Sequence, residues 1–146
     1  MTSYVNAGLR RFVEMRAQFR CEHCLIREVE TFLSCQVDHV VAEKHGGVTG
    51  AENLCYAYVF CNRAKGTDIG SIAPSTGHYT RFFNPRTDHW PEHFRWDGVS
   101  IVPLTPVAEV TVRILGINES NRLLERQLFL SIGRRPPFSD EPLDRP

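Results

Sequence analysis

Asp38 and His39 stand side by side in "VDHVV". A histidine can take a proton from water near neutral pH, and a carboxylate can hold a cation. In a regular strand the two side chains point to opposite faces, so they share one site only where the strand bends or lies at a sheet edge. Asn62, in "CNRAKG", offers a second hard oxygen. With Asp38 it forms the kind of pair that suits Mg²⁺, which keeps much of its water. Asn62 also falls at the expected start of a short helix, where asparagine is a common N-cap, and both readings stand. Asn53 follows the Gly46-Gly47 loop. Its amide could cross that loop and hold the backbone at His39, or form a plain Asx turn. The nearest other acids, Glu43, Glu52 and Asp68, show no clustering pattern. One metal ion is therefore favoured over two.

The five cysteines raise a separate question. Cys21 and Cys24 form a C-x-x-C pair, whereas Cys55 and Cys61 have the wrong spacing for a second one. The opening "MTSYVNAGLRR" lacks the apolar core and cleavage site of a secretory leader. A cytoplasmic location is expected, with thiols or metal ligands rather than disulfides. No apolar run of membrane-spanning length is present, so no membrane partner is expected. The 146 residues suggest about one domain. The 17 basic and 17 acidic residues balance to +0, eight of each in residues 1–70 and nine of each in 71–146. Net charge therefore gives no steering toward a polyanion, and nucleic-acid binding would need a local basic patch.

These residues need elements to position them. Val5, Leu9, Phe12, Val13 and Phe19 lie at helical spacing over 4–19. The C-x-x-C turn follows, then a strand over 32–42, the glycine loop, a second strand over "NLCYAYVF" and a short helix opening at about Cys61. Residues 74–94 are aromatic and rich in turn formers, with prolines that disfavour a long regular element. Tyr79, Phe82, Phe83, Trp90, Phe94 and Trp96 read as the core of an extension in preference to an exposed interaction surface. "HFRWDGVSIVPL" predicts a hairpin turning at Asp97-Gly98. Thr105 and Pro106 predict a helix start, with Val107, Val110, Ile114 and Ile117 on one side. A last helix, from about Glu119 to Ile132, places Leu124, Leu128 and Ile132 four apart and stops at Gly133. The charged, proline-rich 134–146 is expected to be a disordered tail.

In order, "CEHC…VDHVVAEKHGG…ENL…CNRAKG" closely resembles the HNH endonuclease family, whose core is a ββα-metal fold. The resemblance covers residues 21–66. The downstream "FFNPRTDHWPEHFRWDG…IVPLTPVAEVTVRIL" also looks like the C-terminal extension of a bacterial branch of that family. It implies an α+β chain: an HNH core over about 20–70 with an N-terminal helix, and a hairpin-plus-helices extension over about 71–133. The single nuclease domain would span 1–133.

The resemblance also implies roles. His39 is the general base and Asn53 orients it. Asp38 and Asn62 hold the cation, Mg²⁺ first and Mn²⁺ second. Arg63 and Lys65 fall where family members often face phosphates. Members with structural zinc use two C-x-x-C pairs. Here Cys21, Cys24 and Cys61 would be three ligands, and Tyr58 stands where the fourth belongs. Zinc binding and simple packing by Tyr58 therefore both remain open. The expected function is metal-dependent endonucleolytic hydrolysis of DNA; the alternative is a nucleic-acid-binding module of the same fold that does not cut. No pattern that reads base edges is present.

Overall fold

The computed structural model describes residues 4–28, 31 and 33–132. The expected stop at Gly133 and the tail 134–146 lie outside them. The fold is α+β. Among the described residues there are five α-helices and six strands, the strands paired into three separate antiparallel hairpins.

Helix α1, Ala7–Arg16, is capped by Asn6, whose side chain accepts from the Leu9 amide at 2.8 Å. It buries Val13 and is shorter than its apolar spacing predicts. Gln18 and Phe19 have φ 56°, a left-handed conformation that ends the helix. Phe12, within the helix, and Phe19, beyond it, are exposed. The terminal Arg16 reaches across to the carbonyls of Ala51 at 2.8 Å and Leu54 at 2.7 Å, fixing the start of the second strand.

The C-x-x-C turn winds around one sulfur, Cys21 Sγ accepting from the amides of His23 and Cys24, each at 3.4 Å. Strand β1, Cys35–His39, pairs antiparallel with β2, Leu54–Tyr58, with Asp38 opposite Cys55 and His39 opposite Leu54. Every residue of β2 is buried. Helix α2 follows at once as Val59–Lys65. It begins two residues before the expected Cys61. Tyr58 occupies the N-cap position, so the N-cap reading of Asn62 is corrected: Asn62 is the fourth residue of the helix.

The extension starts with a hairpin absent from the sequence reading, β3 (Gly70–Ile72) with β4 (Tyr79–Arg81). Its strands are three residues long, too short to show an alternating pattern. The short helix α3 is Trp90–His93. Strands β5, Phe94–Asp97, and β6, Ser100–Pro103, form the expected hairpin. Asp97 pairs with Ser100, so the turn residues are Gly98 and Val99, one position later than expected. Gly98 has φ 61°, the left-handed value its place in the turn demands. Phe82, Phe83, Trp90 and Phe94 are buried, and the rings of Phe83 and Trp90 both pack against that of Phe94, whereas Tyr79 is exposed.

Helix α4, Pro106–Ile114, opens as its sequence predicts, with Thr105 Oγ1 accepting from the Ala108 amide at 3.1 Å. Thr111 then takes the Phe83 amide at 2.8 Å, tying α4 to the aromatic cluster. Helix α5, Ser120–Ser131, reverses its expected face. Leu124 and Leu128 are 55% and 56% exposed, while Arg122 and Arg126 are buried.

Candidate active site and cysteine cluster

The glycine loop is held by one side chain. Asn53 Oδ1 accepts from the Val41 amide at 3.0 Å, and its Nδ2 donates to the carbonyls of Val41 at 2.9 Å and Val48 at 2.8 Å. Its own carbonyl accepts from the Val40 amide at 2.8 Å. Four bonds therefore fix the chain on both sides of the loop that follows His39. Gly47 makes this possible, since a β-carbon there would lie 1.7 Å from the Val41 oxygen.

His39 leaves the end of β1 toward this loop. Its Nε2 lies 2.8 Å from Thr49 Oγ1 and 3.4 Å from Glu43 Oε1. The Thr49 hydroxyl donates to the same Glu43 oxygen at 3.3 Å. With that proton given to Glu43, Thr49 can only accept from His39. Nε2 is then the protonated nitrogen, and Nδ1 carries the lone pair that can take a proton. Glu43 and Thr49 were not singled out as site residues by sequence, because their meeting with His39 depends on the fold of the loop.

Asp38 points the other way, toward α2. Lys65 and Asn62, three residues apart on that helix, reach Asp38 and Gln36, two apart on β1. Lys65 Nζ lies 3.0 Å from Asp38 Oδ2 and donates to the His39 carbonyl at 2.9 Å. The side chain expected against phosphate is thus turned inward, only 3% exposed. Arg63 is exposed. Asn62 Nδ2 donates to Gln36 Oε1. Asp38 and Asn62 each keep Oδ1 free of hydrogen bonds among the described residues. Two hard oxygens suit Mg²⁺ or Mn²⁺, although one oxygen of Asp38 already serves Lys65.

Behind α2 lies the cysteine cluster. The sulfurs of Cys21, Cys24 and Cys61 all lie within 4.8 Å of one another and are buried. Soft thiolates in this grouping suit zinc. Tyr58 does not turn its oxygen to them; its hydroxyl donates to Glu125 at 2.7 Å. Instead Arg122 Nη2 lies 3.1 Å from Cys61 Sγ. Burial opposes ionisation of Cys24, but hydrogen bonds from Cys21 and Cys61 and the charges of Arg122 and Arg126 hold it well below the ordinary thiol range. Cys55 is buried outside the cluster, with its sulfur 3.9 Å from His23 Nε2, and burial pushes its thiol up. Burial also keeps His23 neutral, its pKa lowered to about 4.

A two-stranded hairpin feeding a helix, with a histidine at the hairpin end and an asparagine-clamped loop between the strands, defines a ββα nuclease-type unit. Residues 21–68 match the model of the HNH endonuclease family. The match ends before β3, so the later hairpins and helices lie beyond it. No curated relative and no solved structure matched the chain.

Proposed function

We propose that the protein is a metal-dependent endonuclease that hydrolyses phosphodiester bonds of DNA. The observation that carries this reading is the His39 constellation inside the HNH segment: a histidine backed through Nε2 by Thr49 and Glu43, on a loop clamped by Asn53. His39 Nδ1 accepts the proton of an attacking water. Glu43 offsets the charge that develops on the imidazolium, and Thr49 fixes the ring. Asp38 and Asn62 hold the divalent cation through their free oxygens; it supplies charge stabilisation for the phosphate and leaving oxygen. Arg63, on the exposed side of α2, contacts the nucleic-acid backbone.

The test is cleavage of plasmid and single-stranded DNA with Mg²⁺ or Mn²⁺. Wild type should cut only with metal, and His39→Ala should be slower by about 10²–10⁴-fold. No cleavage with either metal, or equal rates for the two proteins, would overturn the reading.

One observation favours a module that binds nucleic acid without cutting: the buried ammonium of Lys65 already neutralises the Asp38 carboxylate. DNA binding that persists without metal-dependent turnover would favour this second reading.

A further inference from the structure

We propose that Arg122 is a positioning residue for a three-cysteine zinc centre, supplying from α5 the charge balance that fastens this helix to the ββα core. Zinc with the three thiolates of Cys21, Cys24 and Cys61 carries one net negative charge. The centre is buried, where an uncompensated charge is strongly unfavourable. One guanidinium neutralises it, and Arg122, 3% exposed, lies 3.1 Å from Cys61 Sγ.

That guanidinium is fixed from several sides. Its Nη1 donates to the Leu115 carbonyl at 3.3 Å and the Gly116 carbonyl at 3.5 Å, at the end of α4. Its carbon lies 5.7 Å from the Tyr58 ring centroid and 5.8 Å from that of Phe60. Tyr58, the residue in the place of a fourth cysteine, thus gives Arg122 a ring face and ties its own hydroxyl to Glu125 of α5. Among the described residues no carboxylate is hydrogen-bonded to Arg122, and its side-chain hydrogen-bond partner is the Cys61 sulfur. Arg126, one turn later, gives its hydrogen bonds to the carbonyls of Val99 and Ile117 and none to sulfur, so it serves as a comparison of charge without a sulfur bond.

This arrangement links the metal to the extension. Removing zinc takes away the structure that Arg122 neutralises, and α5 should loosen. Conversely, removing the guanidinium should weaken metal affinity without altering any ligand. A role confined to packing would not separate Arg122 from Arg126 in metal affinity.

The experiment is zinc titration of the full chain by chelator competition, with Co²⁺ substituted to read thiolate–metal absorption. Wild type should bind about one zinc per chain. Arg122→Met should lower affinity by about 10–100-fold, and Arg122→Lys should recover part of it. Arg126→Met, which removes a nearby charge but no bond to sulfur, should lower affinity clearly less than Arg122→Met while lowering thermal stability. Hydrogen exchange of wild type with and without chelator covers a variant that fails to fold; amides 120–131 should lose protection when zinc is removed. The proposal is overturned by a wild type that binds no zinc, by unchanged affinity in Arg122→Met, by equal losses in Arg122→Met and Arg126→Met, or by α5 protection that ignores the chelator.

Discussion

At the residue scale, His39 and Asp38 are neighbours that work on different surfaces. One leaves β1 toward the loop carrying Thr49, the other toward α2 and Lys65. The strand's two-residue alternation predicts this division, and it sets separate tests. Thr49→Val removes a group through which Nε2 is held, so kcat for cleavage should fall while substrate KM changes little. A kcat equal to wild type would show that Thr49 does not position the ring. Lys65→Met leaves the Asp38 carboxylate partly buried and unpaired, and should cost about 3 kcal/mol in denaturant unfolding. A change below about 0.5 kcal/mol, the size of an ordinary surface effect, would mean that the pair is not structural. Gly47 is intolerant for a steric reason, because its missing β-carbon is replaced by the Val41 carbonyl.

At the element scale, α5 shows how a correct helix can carry the wrong expected face. Its four-residue spacing of leucines is real, but the inner ridge is Arg122, Glu125 and Arg126. Each meets a polar group that the core cannot otherwise satisfy: the Cys61 sulfur, the Tyr58 hydroxyl, and carbonyls at the end of α4 and in the β5–β6 turn. Leu124→Gln and Leu128→Gln should therefore change stability by no more than about 0.5 kcal/mol. Arg126→Met should cost about 1–3 kcal/mol, since a buried and a partly buried carbonyl lose their donor. Thermal unfolding of the three variants compares these outcomes directly, and a larger loss at the leucines would restore the expected face.

The segment between β4 and α3 has its own electrostatic tie. Asp88 binds Arg81 at 2.7 and 3.1 Å and accepts from the Asn84 amide at 2.8 Å. Burial opposes its ionisation, but these bonds hold its pKa below the ordinary aspartate value of 3.8. A depressed carboxylate contributes stability above its unfolded pKa and loses it as pH falls through the folded one. The difference in melting temperature between wild type and Asp88→Asn should therefore be constant above about pH 5 and shrink below about pH 4. A difference that is the same at pH 3 and pH 6 would exclude this tie.

At the scale of the whole molecule, the chain joins an HNH segment to an extension through the back of α2. His39 turns from the end of β1 to the loop and Asp38 to α2, while Arg122 of the extension meets Cys61 of α2. No helix among the described residues is long and apolar enough to cross a membrane. Sequence by itself determined the parts whose physics is local: the Thr105 cap, the β5–β6 hairpin, the ββα order, and the spacing of the cysteines and of Asp38, His39, Asn53 and Asn62. Those depend on backbone geometry within a few residues. Tertiary structure decided what depends on partners far along the chain. It turned Lys65 inward, brought Glu43 and Thr49 to His39, and placed Tyr58 against α5. It also made arginine rather than leucine the buried side of that helix, because a buried sulfur and unsatisfied carbonyls attract hydrogen-bond donors more strongly than they attract a hydrocarbon.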